Sequence, residues 1–125
     1  MKSSFNKPQS EAITHGKGPA LILAGPGSGK TLVITQRVKN LIEKQHIRPS
    51  NILVITFTKA AATQMKERFT ILMGEGRYPV TFGTFHAVFF SVLKNAYHYT
   101  AQNIIREEKK YQILYDIIHR MELEY

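Results

Sequence analysis

The sequence predicts an α/β fold in which helices flank a parallel sheet. Short apolar runs alternate with segments of helical periodicity, and glycine- or proline-containing breaks separate them. A glycine-rich loop follows the first apolar run and leads into a helix, which is the order of a phosphate-binding unit. The chain has 125 residues, enough for one modest core. The predicted sheet is incomplete, because the sequence supplies few strands for it.

The predicted strands are the apolar runs over residues 20–24, 52–57 and 80–83. The first, ALILA, follows a break that contains two glycines and a proline, and ILVITF is the strongest of the three. VTFG is the weakest. Runs that are apolar on both faces are typical of buried parallel strands.

Helices are predicted over residues 31–44, 59–73, 84–94 and 106–122 from apolar residues at helical spacing. The first helix is expected to bury Leu32, Val38, Leu41 and Ile42. In the third helix, Phe89 and Phe90 are expected to lie in the core. The last helix carries a long apolar stripe, formed by Tyr111, Leu114, Tyr115, Ile118 and Met121.

Composition favours a cytoplasmic protein that attracts polyanions. Seventeen Lys and Arg against nine Asp and Glu give a formal charge of +8, although a basic surface that only aids solubility is an alternative. No apolar run reaches the roughly 18 residues that a membrane span needs, and the N-terminus lacks the apolar core of a signal peptide. The absence of cysteine excludes disulfides and thiolate metal sites.

The segment AGPGSGKT at 24–31 fits the P-loop pattern, with alanine in place of the first glycine. It consists of Ala24, Gly25, Pro26, Gly27, Ser28, Gly29, Lys30 and Thr31. The glycines allow backbone N–H groups to face phosphates, and the following helix adds its positive end. Lys30 can reach the β- and γ-phosphates, and the Thr31 hydroxyl can bind Mg²⁺. The loop therefore predicts a nucleoside triphosphate site.

Four segments, in order, resemble the N-terminal motifs of superfamily 1 DNA helicases of the UvrD/Rep/PcrA type. Residues 5–13 resemble the Q motif, 24–31 motif I, 56–68 motif Ia and 81–87 motif Ib, so the resemblance covers about residues 5 to 95. It implies a RecA-like P-loop NTPase fold and the N-terminal part of an ATP-dependent 3′-to-5′ DNA helicase, with a role in DNA repair. ATP and Mg²⁺ would be its cofactors.

The resemblance also assigns roles to single residues. Gln9 would read adenine, since a side-chain amide offers the donor and acceptor that match N7 and N6. Arg68 would lie near the nucleotide, with a solvated helix arginine as the alternative. Single-stranded DNA, or a junction of single and double strands, would contact two strand ends, at Thr56, Phe57 and Thr58 and at Thr84, Phe85 and His86. Phe57 as plain core and His86 as a structural histidine are the alternatives.

By the same resemblance, residues 1–95 would be a partial ATP-binding domain 1A and residues 96–125 the start of helical subdomain 1B. The acidic pair and the arginines that a working motor needs are not apparent after residue 95. Glu107 and Glu108 form the only adjacent acidic pair, on a charged helical segment where solvation is expected. We therefore expect a segment of a longer helicase that does not hydrolyse ATP alone and that self-associates through its exposed apolar faces.

Three other functions remain open at this point. The chain could belong to a helicase–nuclease of the AddA or RecB kind, which shares these motifs. It could instead be a non-catalytic module that binds nucleotide or DNA. A P-loop kinase is a more distant alternative, because it would not explain Thr-Phe-His after the third strand.

Overall fold

The computed structural model describes residues 4–122, which form a mixed α/β structure. Its helices are α1 (Lys7–Thr14), α2 (Lys30–Glu43), α3 (Lys59–Met73), α4 (Phe85–Tyr97) and α5 (Glu107–Arg120). Its strands are β1 (Leu53–Thr56) and β2 (Thr81–Thr84), and short 3₁₀ turns cover Pro49–Asn51 and Ala101–Asn103. The four helices predicted from periodicity are confirmed within a few residues at each end.

The two strands pair in parallel, which confirms the predicted orientation for this part of the sheet. Their register joins Leu53 to Thr81 and Thr56 to Thr84. The connection between them is α3, which packs against both strands. Parallel neighbours need a crossover of this kind, because a tight hairpin can join only antiparallel strands. Both strands therefore end at the same edge of the sheet.

The strand predicted over residues 20–24 is not formed. Within the described residues the sheet has two strands, and Leu21 and Leu23 are 87% and 88% exposed. An apolar pattern indicates only that burial of the segment would be favourable. A strand also needs a neighbour to bond its N–H and C=O groups, and the described residues provide none beside this segment. The prediction of a three-stranded sheet was therefore wrong.

The main core lies between the sheet, α2 and α3. Its buried residues are Val38, Ile52, Val54, Met65, Phe69 and Val80. Phe69 is 3% exposed, and its ring lies 5.5 Å from the ring of Phe82 and 6.4 Å, edge-on, from that of Tyr78. Leu53, between the buried Ile52 and Val54, is 49% exposed, so β1 alternates between a buried and an open face. The expectation of burial on both faces was wrong there.

A second, smaller cluster joins α1 to α2. It contains Ala12, Ile13 and Val33, with Phe5 packed against it. Of the α2 residues expected inside, Val38 is buried and Leu41 and Ile42 pack on the main core. Leu32 is instead 39% exposed. Helix α2 thus buries two stripes, one in the main core against α3 and one toward α1.

The described chain divides after Val88 into two compact units, and every candidate site residue lies in the first. In the second unit, Phe89 is 58% exposed, so its expected burial is wrong, while Phe90 is half-buried. The stripe on α5 is largely exposed, and Glu107 and Glu108 are exposed in the first turn of that helix, as expected for a solvated pair. Across residues 4–122, no helix has the length and apolar character needed to cross a membrane.

Candidate functional site

The glycine-rich loop ends at the N-terminus of α2. Gly27 and Gly29 have φ angles of 72° and 77°, which glycine adopts at little cost and other residues rarely adopt. Gly29 is the residue that precedes the first turn of α2. Ser28 closes the loop, because its N–H and its hydroxyl both donate to Gly25 O, at 3.3 and 2.7 Å. The loop is thus a tight turn that depends on glycine at two positions.

The beginning of α2 is open to a ligand. Its first backbone hydrogen bond runs from Val33 N to Gly29 O at 3.0 Å, and the amides of Lys30, Thr31 and Leu32 donate to no described backbone carbonyl. Unpaired N–H groups and the helix dipole together favour an anion at such an end. Lys30 is exposed and Thr31 is half-buried beside it. The open helix end and the exposed Lys30 are therefore compatible with the predicted phosphate site.

Gln9 is held directly against this loop. Its Oε1 accepts from Asn6 N at 3.0 Å, and its Nε2 donates to Ser28 O at 3.1 Å. Asn6 Oδ1 in turn accepts from Gln9 N at 2.9 Å, which completes a capping box at the start of α1. A primary amide has two N–H groups and two lone pairs. One N–H and one lone pair of Gln9 therefore remain for a ligand.

Two residues that hold α1, the helix that carries Gln9, were missed from the sequence. Asn6 could have been found, because Asn followed by Gln three positions later marks a capping box. Arg37, on α2, donates from Nη1 to Ala12 O and to His15 O, both at 2.9 Å, and so holds the other end of α1. No local pattern could have revealed it, because its partners lie 22 and 25 positions away in the chain.

A cavity of about 380 Å³ opens beside the loop. Its volume falls in the range of small-molecule sites, and its wall is mostly apolar with a few polar groups. It is lined by Asn6, Pro8, Gln9, Ala12, Ile22, Leu23, Ala24, Gly25, Ser28, Lys30, Val33 and Ile34. Arg68 is not among these residues and lies exposed on α3, so the structure does not bring it to the cavity wall.

Thr31 is the remaining candidate for a metal ligand. Residues 4–122 contain no group of three or more His, Cys, Asp or Glu side chains that could hold a metal ion. Mg²⁺ prefers few protein ligands together with waters and phosphate oxygens. The side chains present therefore fit an ion that arrives with a triphosphate and contacts the Thr31 hydroxyl, rather than an ion held by the protein alone.

The ends of the two strands lie side by side. Thr56 is the register partner of Thr84, and adjacent strands lie about 4.8 Å apart. Phe57 follows Thr56 and is 93% exposed, so the alternative that it is a core residue is wrong. Phe85 is 49% exposed, and His86 is exposed. The predicted Thr-Phe-Thr and Thr-Phe-His segments thus share one edge, which we call the strand-end surface.

Threonine hydroxyls cap the two helices that begin at this surface. Thr58 Oγ1 accepts from Ala61 N at 3.1 Å, and Thr84 Oγ1 accepts from Ala87 N at 3.2 Å. Neither α3 nor α4 has an acidic residue in its first turn, and α3 begins with Lys59. Two positive helix ends and a lysine therefore lie at the strand-end surface, which favours an anionic ligand.

The cap at Thr58 makes a first prediction. Thr58→Ala removes the acceptor for Ala61 N, so we expect the free energy of unfolding to fall by about 1 kcal/mol. Urea unfolding followed by circular dichroism measures this. Thr63→Ala, an exposed position within α3, is the matched control and should leave stability unchanged or raise it by up to about 0.7 kcal/mol, because Ala has the higher helix propensity. Equal losses in both variants would contradict a capping role.

Comparison with known proteins adds the following similarities. The profile described as UvrD/REP helicase N-terminal domain matches residues 5–124. The chain is 44% identical over 92 residues to the ATP-dependent DNA helicase PcrA of Bacillus subtilis (strain 168), which covers 74% of this chain and 12% of that protein. It is also 44% identical over 90 residues to PcrA of Staphylococcus aureus (strain Mu50), covering 72% and 12%. The chain thus spans about 12% of the length of these relatives.

Proposed function

The chain belongs to the UvrD/REP helicase N-terminal domain family, and from this membership we propose that it is the ATP- and single-stranded-DNA-binding N-terminal segment of an ATP-dependent 3′-to-5′ DNA helicase. The relatives named above are ATP-dependent DNA helicases. The RecA-like character of the complete fold and the role in DNA repair belong to the same proposal.

The main support for the proposed ATP binding is the hydrogen bond from Gln9 Nε2 to Ser28 O. This bond joins the side-chain amide proposed to read the base to the loop proposed to bind the phosphates, and so supports one site for both. Adenine presents an acceptor at N7 and a donor at N6, and Gln9 keeps one N–H and one lone pair for them. The adjoining cavity of about 380 Å³ has the apolar wall that a base requires.

The strand-end surface supports the proposed binding of single-stranded DNA. Phe57 offers an exposed ring on which a base can stack, and the helix ends and Lys59 favour the phosphates. The formal charge of +8 would attract single-stranded DNA or a junction of single and double strands. Thr31 is proposed to contact Mg²⁺. Arg68 is proposed to lie near the nucleotide from outside the cavity wall, since it is exposed on α3 and does not line that cavity.

In the proposed whole protein, ATP binds between two RecA-like domains, and opening and closing of that cleft moves the DNA strand across the strand-end surface. The acidic pair and the transition-state arginines that this requires would come from outside these residues, since Glu107 and Glu108 lie solvated on α5. A cytoplasmic location is part of the same proposal, because the proposed DNA substrate would be met there. Domain assignments 1A and 1B and self-association stay predictions.

A binding assay with the 125-residue chain tests this proposal. We expect saturable binding of a fluorescent ATP analogue that unlabelled MgATP displaces, and no DNA-dependent release of phosphate. The physical reason is that the proposed phosphate loop lies in this chain, while the groups that would cleave the γ-phosphate are proposed to lie outside the described residues. No displaceable binding at any chain concentration would contradict the proposed function. Release of phosphate would instead show that the chain carries a complete catalytic set.

A further inference from the structure

The C-terminal end of α1 is closed by groups from another helix. The last carbonyls of a helix have no partner within it, and α1 has no basic residue in its last turn. Arg37, on α2, fills both needs. Its Nη1 carries two N–H groups, and it donates to Ala12 O and to His15 O at 2.9 Å each. Its fixed positive charge also lies at the negative end of the α1 dipole.

A second side chain, which follows the C-terminal end of α2, supports the same contact. Gln45 Nε2 donates to His15 O at 3.2 Å and to Asn40 Oδ1 at 3.1 Å. The C-terminal end of α1 is therefore bonded by two side chains, Arg37 on α2 and Gln45 just after α2. At its N-terminal end, α1 is tied to the phosphate loop by the bond from Gln9 to Ser28 O. Between these two ends lie Ala12 and Ile13, packed on Val33.

These contacts connect Arg37 to the loop through rigid elements. Arg37 lies seven residues after Lys30 on the same helix, about 10 Å along its axis and almost on the same face. Helix α1 has only eight residues, which is too short for a helix that is stable alone. Its position therefore depends on the contacts that hold its two ends. If the Arg37 end is released, α1 can pivot about its apolar contacts and carry Gln9 away from Ser28.

We propose that Arg37 is a positioning residue that sets the base selectivity of the nucleotide site by holding α1, and with it Gln9, at the phosphate loop. The inference rests on the proposed function, because it requires that the loop binds a triphosphate. It goes beyond that function by assigning the preference for adenine to a contact at the far end of α1. Arg37 itself is not among the residues that line the cavity.

The prediction concerns selectivity rather than binding alone. In Arg37→Ala, affinity for MgATP should fall by up to about 30-fold, the factor that corresponds to the two neutral hydrogen bonds of Gln9 to adenine at about 1 kcal/mol each. Affinities for MgGTP and for inorganic tripolyphosphate should not change, because Lys30 and the loop amides are intact. Competition against a fluorescent ATP analogue, with the 125-residue chain, measures all three ligands.

Two comparisons separate positioning from a merely structural role. Gln9→Ala should show the same loss for MgATP, and the double variant should lose no more than either single one, since both changes remove the same contact. Arg37→Lys keeps a cation and a donor at the end of α1 and should restore part of the preference. Arg48→Ala, an exposed arginine outside these contacts, is the matched control.

The outcomes are distinguishable. Equal losses for MgATP, MgGTP and tripolyphosphate in Arg37→Ala, additive losses in the double variant, or no loss at all would overturn the inference. If circular dichroism shows that Arg37→Ala does not fold, Gln45→Ala releases the same end more mildly, and an unchanged ATP-to-GTP ratio there would overturn it. A wild-type chain that binds tripolyphosphate without preferring ATP overturns the inference alone. Failure to bind any of the three overturns the proposed function as well.

Discussion

Replacing Lys30 with alanine is expected to remove triphosphate binding from the 125-residue chain. Lys30 is the exposed cation at the open end of α2, next to amides that donate to no described backbone carbonyl. A hydrogen bond to a charged group contributes about 1.5–3 kcal/mol, which corresponds to a fall in affinity of at least about tenfold. Because the side chain is exposed, the free energy of unfolding should change by less than about 0.5 kcal/mol.

Titration of a fluorescent ATP analogue measures this effect, and tripolyphosphate competition shows whether the loss lies on the phosphates. Lys44→Ala is the matched control, since Lys44 is an exposed lysine that ends the same helix. It removes the same charge from the chain, about 20 Å along the helix axis. Unchanged titration by Lys30→Ala, or the same loss in Lys44→Ala, would remove the phosphate loop from the proposed function.

The loop could be predicted from the sequence because its geometry is local. Gly27 and Gly29 stand where the chain needs a positive φ, and the helix after them begins at Lys30. The strand ends were predictable for a related reason. Two apolar runs joined by one helix give parallel strands, and the residues that follow parallel neighbours meet at one edge. Each of these features depends on a short stretch and on one rule.

Features that depend on distant partners could not be predicted. Residues 20–24 have the composition of a strand, but no described strand lies beside them. The sequence of a single segment does not indicate whether a neighbouring strand is available to pair with it. From the sequence, Arg37 is one more cation on an amphipathic helix. Its two carbonyl partners lie at the C-terminal end of a helix that begins 30 residues earlier. The same limit applies to Leu32, because helix periodicity did not reveal that α2 packs on two sides.

Phe57→Ala is expected to weaken single-stranded DNA binding about 5- to 150-fold, the range that corresponds to the loss of one stacked base at about 1–3 kcal/mol. The ring is 93% exposed, so its removal should leave the free energy of unfolding within about 0.5 kcal/mol of wild type. An exposed aromatic ring lowers solubility, and a base that stacks on the ring buries this apolar surface.

Fluorescence anisotropy of a labelled oligothymidine, at several salt concentrations, tests this expectation and identifies the kind of contact. Phe57 is uncharged, so its loss should lower affinity at every salt concentration without changing the slope of log affinity against log salt. Lys59→Ala should instead reduce that slope by about one, as the loss of a phosphate contact does. Ile71→Ala is the matched control, because Ile71 is 81% exposed on α3 but about 18 Å along the axis from the strand-end surface. Wild-type affinity in Phe57→Ala, or an equal loss in Ile71→Ala, would exclude stacking on Phe57 and leave the helix ends and Lys59 as the only support for DNA at this surface.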